Sequence, residues 1–189
     1  MKTHWFYYLV KYAGLLGARL FFGGIKLYGK EKIPTDGALI FAPNHQGAFM
    51  DAVLVGISTK KPITFLTRAD VFTKWSIPIL KSLNMMPIYR IRDGIKSLSQ
   101  NDAVFEMCYK ILSENHKALL IFPEGNHGIE HFLRPLSKGT SRLALDARKE
   151  LADDKKLYVI PTGINYFSHY RPLSKVHIAF GEPMELEQY

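Results

Sequence analysis

Two stretches of this 189-residue chain place reactive side chains directly after runs of apolar residues. The first is Asn44-His45-Gln46-Gly47-Ala48-Phe49-Met50-Asp51, which follows Ala38-Leu39-Ile40-Phe41-Ala42-Pro43. Imidazole is the side chain whose ordinary proton affinity best suits proton removal near neutral pH, and a carboxylate on its second nitrogen fixes the tautomer and stabilises the imidazolium. His45 and Asp51 are therefore candidates for a general base and its orienting partner. A histidine and an aspartate at this spacing also occur together by chance, so the pair needs a fold that brings them together. The second stretch is Phe122-Pro123-Glu124-Gly125, after Ala118-Leu119-Leu120-Ile121. A carboxylate held between proline and glycine at the end of a buried run is a candidate fixed anion at the same edge as His45. Its ordinary alternative is a turn carboxylate that caps the next helix.

The elements that must position these groups follow from hydrophobic rhythm. Short apolar runs predict strands near Ala38 to Ala42, Ile63 to Leu66, Met86 to Tyr89, Ala118 to Phe122, Leu157 to Pro161 and Val176 to Phe180. Helices are predicted over Phe49 to Ile57, Leu98 to Glu114 and Lys138 to Leu151, with a weaker segment from Ala69 to Leu83 divided by Pro78. The alternation implies a single α/β domain with a mixed central sheet flanked by helices, in which His45 sits at a strand's carboxyl end, where such sheets place reactive groups.

Composition agrees with one sizeable core. Hydrophobic residues make up 47% of the chain and charged residues 22%, which excludes intrinsic disorder, and the single cysteine excludes an intrachain disulfide framework. The formal charge of +8 favours anionic partners without choosing among phospholipid, nucleotide and nucleic acid. No nucleic-acid-binding module is recognisable.

The first thirty residues narrow that choice. From Trp5 to Gly29 aromatic and aliphatic residues dominate, but Lys11, Arg19 and Lys26 leave no run of roughly 18 uncharged residues for a spanning helix. On one continuous helix the three cations fall within an arc of about 80°, opposite an apolar surface that includes Trp5, an interfacial pattern. Residues 1–30 are accordingly expected to form an amphipathic membrane-docking segment and residues 31–189 the domain that carries the site. The alternative is a core helix with a short solvated face. A signal peptide fits poorly, because Lys11 breaks the apolar segment. The chain ends soon after its last predicted strand, without a closing helix, as a truncated or compact form does.

Taken together, Asn-His followed by Asp after one strand and Phe-Pro-Glu-Gly after a later one resemble the glycerolipid acyltransferases typified by 1-acylglycerol-3-phosphate acyltransferase. Two further blocks fall in the family's order: Met86-Pro87-Ile88-Tyr89-Arg90, similar to the segment ending in a substrate-phosphate arginine, and Val159-Ile160-Pro161-Thr162-Gly163, similar to the final proline-containing strand. The resemblance implies that His45, oriented by Asp51, takes a proton from an acceptor hydroxyl that attacks the thioester of acyl-CoA or acyl-acyl carrier protein, with no other cofactor. It implies that Arg90 and Arg92 hold the acceptor phosphate and that Glu124 and Gly125 orient the acceptor or its loop. The expected acceptor is a lysophospholipid, foremost 1-acylglycerol-3-phosphate, at the cytoplasmic face of a membrane. Glycerol-3-phosphate, another lysolipid, or an inert membrane-binding module of the same fold are the alternatives.

Two departures from the family pattern bear on the site. Five residues separate His45 from Asp51 where four are commonest, and Gly47-Ala48 is the place to absorb the extra one. Thr-Arg-Ser usually follows Phe-Pro-Glu-Gly, whereas Asn126-His127-Gly128 stands here, leaving Arg134 or Lys138 to replace the missing arginine. The absence of a Gly-x-Ser-x-Gly elbow, and a helical place for Cys108, argue against an acyl-enzyme. His116, His127 and His131 have a spacing open to metal ligation, the basis of a less favoured metal-dependent hydrolase reading, but the glycines around them favour a loop and no metal is expected.

Overall fold

The computed structural model describes residues 5–89, 100–113, 118–128 and 132–187. It is one α/β domain built on a mixed eight-stranded sheet. The strands are β1 (Gly24–Tyr28), β2 (Ala38–Pro43), β3 (Ile63–Arg68), β4 (Met85–Ile88), β5 (Ala118–Leu120), β6 (Leu157–Tyr166), β7 (Lys175–Phe180) and β8 (Met184–Glu185). They lie in the order β1-β7-β6-β2-β5-β3-β4, with β8 pairing separately with β6. Strands β6, β2, β5, β3 and β4 run parallel to one another and β1 runs parallel to β7, whereas β7 and β8 run antiparallel to β6.

The parallel centre is apolar because both its faces are covered. Leu39 and Phe41 face a layer made by α1 (Trp5–Phe21) and α2 (Phe49–Ser58), while Ala38 and Ile40 face α4 (Gln100–Ser113) and α5 (Lys138–Glu150). The short α3 (Ile77–Ser82) adds Leu80 to the first layer. Leu39, Ile40 and Phe41 are wholly buried, each contributing about 1.5–3 kcal/mol of transfer free energy. Most observed strands and helices match the expected ones to within a few residues. The weak segment Ala69 to Leu83 does not: only Ala69–Val71, as a 3-10 turn, and α3 are helical, and Pro78 opens α3 instead of dividing a helix, because proline is tolerated in a first turn. Strand β6 also differs, continuing five residues past Pro161 to Tyr166 and so reaching the edge where β2 ends.

The amino-terminal segment corrects the expectation of one helix to Gly29. Helix α1 stops at Phe21, and Gly24-Ile25-Lys26-Leu27-Tyr28 forms β1, paired in parallel along its length with β7. The cause is local. Apolar Ile25 and Leu27 alternate with Lys26, a period of two rather than 3.6, and Gly23 lets the backbone approach the Leu173 carbonyl where a Cβ would collide. Lys26 is therefore an exposed strand residue and shares no helical stripe with Lys11 and Arg19. Lys11 turns toward the protein, where its Nζ donates to the Thr59 carbonyl at 2.7 Å. Strand β1 thus lies inside the segment expected to stand apart as residues 1–30. Among the described residues, no helix is long and apolar enough to cross a membrane.

Candidate active site

The carboxyl ends of β2, β5, β3 and β6 bring the site together. After Pro43 ends β2, Asn44 splices it to β6: its Nδ2 donates to the Ile164 carbonyl at 3.0 Å and its Oδ1 accepts from the Ile164 amide at 2.6 Å. The side chain so continues the ladder for one more residue and fixes where His45 leaves the sheet. His45 Nδ1 lies 2.9 Å from Asp51 Oδ2, with the imidazole 15% exposed and the carboxylate wholly buried. With Asp51 ionised, Nδ1 carries the proton and Nε2 is left as the basic atom.

Asp51 is the third residue of α2, where the helix dipole favours an anion. Its Oδ2 also accepts from the Gly47 amide at 2.8 Å, and its Oδ1 accepts from the Tyr166 hydroxyl at 2.6 Å. Burial, reinforced by the charge of Asp51, pushes the Tyr166 phenol far above its usual range, so it remains a donor. The Gly47 position admits no side chain: a Cβ there would sit 2.5 Å from the Tyr166 oxygen and 2.8 Å from Asp51 Oδ1. Ala48, which precedes the helix, has φ 49°. This positive-φ residue turns the five-residue loop between His45 and Asp51 into the helix.

Glu124 holds the facing loop. Its Oε1 accepts from the His45 amide at 2.8 Å and its Oε2 from the Arg134 amide at 3.2 Å. Both oxygens therefore serve backbone groups, and the orienting role expected of Glu124 is exerted on the loop. Gly125 makes the turn with φ 65°, and the Gly128 amide returns to the His45 carbonyl at 3.1 Å. Phe122 stacks on the imidazole at 3.7 Å and 15°.

His127 occupies the position of the family's missing arginine, its ring 5.4 Å from that of His45. Burial lowers its proton affinity, and the neighbouring His45, Arg68 and Arg134 lower it further. Two cations thus stand near the dyad. Arg134 donates to the His127 carbonyl at 3.3 Å, and Arg68, at the end of β3, pairs with Asp70. Lys138 is exposed at the start of α5, and no described contact ties it to His45. Arg90 and Arg92 lie outside the described residues, as do His116 and His131. Among the described residues no three His, Cys, Asp or Glu side chains gather as a metal site.

Sequence reasoning missed Tyr166 and Arg68. Arg68 could have been found by the signal that singled out Glu124, a charged residue closing an apolar strand. Tyr166 stands 115 residues from its partner and has no local signature.

Residues 24–165 match the family model described as Acyltransferase. The chain belongs to the acyltransferase family. This acyltransferase-family chain is 28% identical over 124 residues to the 1-acyl-sn-glycerol-3-phosphate acyltransferase of Bacillus subtilis (strain 168), covering 65% of this chain and 57% of that protein. It is 30% identical over 83 residues to glycerol-3-phosphate O-acyltransferase 1 of Saccharomyces cerevisiae, covering 44% of this chain and 11% of the yeast protein. The chain therefore spans little more than half of the bacterial relative and a small part of the yeast one. The fold is similar to that in the crystal structure of the 1-acyl-sn-glycerophosphate (LPA) acyltransferase PlsC from Thermotoga maritima, with a TM-score of 0.69 and 19% identity, covering 95% of this chain and 68% of that one.

Proposed function

We propose that this protein transfers a fatty acyl group from a thioester, acyl-CoA or acyl-acyl carrier protein, to the hydroxyl of a lysophospholipid, with 1-acylglycerol-3-phosphate the favoured acceptor. The observation that carries the proposal is the 2.9 Å contact between His45 Nδ1 and the buried Asp51, which leaves Nε2 as the base. In this reading Nε2 takes the acceptor's hydroxyl proton as its oxygen attacks the thioester carbonyl. The tetrahedral intermediate collapses with cleavage of the C–S bond, and the imidazolium returns the proton to the departing thiolate. Asp51 keeps the tautomer and stabilises the transient cation. Arg68 and Arg134 supply positive charge for the acceptor phosphate, joined by Arg90 and Arg92 as the family resemblance implies.

A narrow apolar groove begins at Phe49, beside the dyad, and runs between α1 and α2 past Val10, Val53 and Ile57. Following α2 from Phe49 to Ile57, it is about 12 Å long at 1.5 Å per residue. It gives an acyl chain an apolar path away from His45.

Membrane contact is part of the same proposal. Trp5, Leu9, Tyr12, Leu16 and Leu20 form an exposed stripe along α1, with Arg19 exposed beside it. Phe49, Trp75, Ile79, Phe132 and Leu133 are exposed on loops and helices that follow the strand ends around the site. Such a surface suits the interface that holds the acceptor.

The test is thioester consumption by purified protein with a panel of lysolipid acceptors, products being identified by mass spectrometry. Wild type is expected to form the ester, and His45→Ala to lose at least 1,000-fold in kcat, the order of a general base's contribution. Equal turnover by the two proteins removes His45 as the base.

A further inference from the structure

At the sheet edge opposite His45, where β2 and β3 begin, residues 30–35, the start of β2 and Thr59 to Lys61 bound a cavity of about 630 Å³. Pockets that enclose drug-sized ligands span roughly 300–1,000 Å³. The interior is apolar: the half-buried Ile33 and Pro34 form its wall, with the wholly buried Leu39 and Phe41 at its base, and none offers a side-chain donor or acceptor. The Thr59 hydroxyl is already directed to the carbonyls of Gly56 and Lys61, each at 3.4 Å.

The polar lining is mainly cationic. Lys30, Lys60 and Lys61 contribute to it, and Lys11 reaches over from α1 to the Thr59 carbonyl. Glu31 also lines the cavity, and Asp36 lies close enough to Lys61 to act on its charge. Even so, none of the four lysines forms an ion pair with a carboxylate among the described residues. Burial, and then the charge of Lys30, lowers the proton affinity of Lys11, and burial does the same to Lys61. Lys61 Nζ donates to the Gly37 carbonyl at 3.0 Å as Lys11 does to Thr59, so backbone oxygens solvate these two ammoniums without neutralising them, and an anion suits the remaining charge.

We propose that this cavity binds an anionic amphiphile, its phosphate head over Lys30, Lys60 and Lys61 and its hydrocarbon chain against Ile33 and Pro34. The segregation of charge from apolar wall selects that class. A nucleotide needs hydrogen-bond partners along its base, which this wall does not offer. A bare phosphate leaves the wall unused. Neither His45 nor Asp51 lines the cavity, so the proposal stands independently of acyl transfer.

The experiment is a titration of the full chain, labelled at isoleucine methyl groups, with dodecyl phosphate below its critical micelle concentration. Ile33 reports the cavity, and Ile164, bonded to Asn44, reports the catalytic edge. Saturable movement of the Ile33 signal is expected, with binding at least tenfold weaker for an uncharged dodecyl glycoside. Lys30→Ala/Lys60→Ala, which removes two exposed lysines with no described hydrogen bond, is expected to weaken dodecyl phosphate binding at Ile33 at least tenfold and leave the response at Ile164 unchanged. The proposal is overturned if Ile33 does not respond, if the glycoside binds as well as the phosphate, or if inorganic phosphate alone reproduces the shift and the affinity. The wild-type comparison of the three probes decides the matter even where the double variant does not fold.

Discussion

Asp51 is the residue on which the polar atoms of the site converge. Its two oxygens accept from an imidazole, a backbone amide and a phenol, so a rotation of the carboxylate breaks more than one bond at once. In the proposed mechanism Tyr166 touches no reacting atom and acts through this carboxylate, as a positioning residue. Tyr166→Phe is expected to lower kcat about tenfold, the loss of one hydrogen bond to a charged group, while the acceptor's KM stays within about twofold. Steady-state kinetics alongside a thermal melt separates this from simple unfolding, which lowers the active fraction without altering the KM of what remains. His45 and Glu124 stood out in the sequence because each follows an apolar run where a strand must give way to a turn, and Asp51 stood out by its place in the first turn of the helix that follows His45. Tyr166 was not, because only the length of β6 carries it to Asp51, and the apparent end of that strand at Pro161 concealed the extension.

The loop between β2 and α2 is the most strained described element of the site. Ala48 sits at φ 49°, a region that costs a residue bearing a Cβ about 1–3 kcal/mol, whereas glycine occupies it readily. Ala48→Gly is therefore expected to raise stability by about 1 kcal/mol in urea unfolding and to retain the dyad. Gly47→Ala has no such freedom. Helix α4 carries a different consequence. Cys108 is wholly buried against the sheet, and that burial pushes its thiol up to about 12. A raised value in the folded state means the neutral thiol is favoured there. Its stabilising contribution is complete below the free thiol's value of 9.0 and is lost as pH rises from there through about 12. Between pH 9 and 11 the wild type is expected to lose more stability than Cys108→Ala, measured as a shift in urea midpoint. The central strands were readable because two covered faces demand unbroken apolar runs. Strand β1 was obscured because its five residues adjoin a helix of similar composition, and β8 is only two residues long.

For the whole molecule, the +8 charge and the α1 stripe would act on different steps of the membrane association proposed above. Charge attracts an anionic bilayer and is screened by salt, while apolar side chains hold the protein once it has arrived. Leu16→Glu/Leu20→Glu is expected to reduce co-sedimentation with vesicles containing anionic lipid at least fivefold, and 0.5 M salt to weaken wild-type binding without abolishing it. Binding equal to wild type removes the stripe from the docking surface. The sequence foretold an apolar helix here but misjudged its cations, because Lys11 is drawn to Thr59 and Lys26 belongs to a strand. The inner side of α1 sets a limit on how the protein can be handled. The Tyr7 hydroxyl oxygen accepts from the Ile63 amide at 3.0 Å, and Phe22, just past the last turn, lies 6.1 Å from the Tyr166 ring. Trimming the first 22 residues therefore strips packing from behind Tyr166, the partner of Asp51, together with the apolar stripe proposed to meet the bilayer, and work on the intact polypeptide is the sounder route.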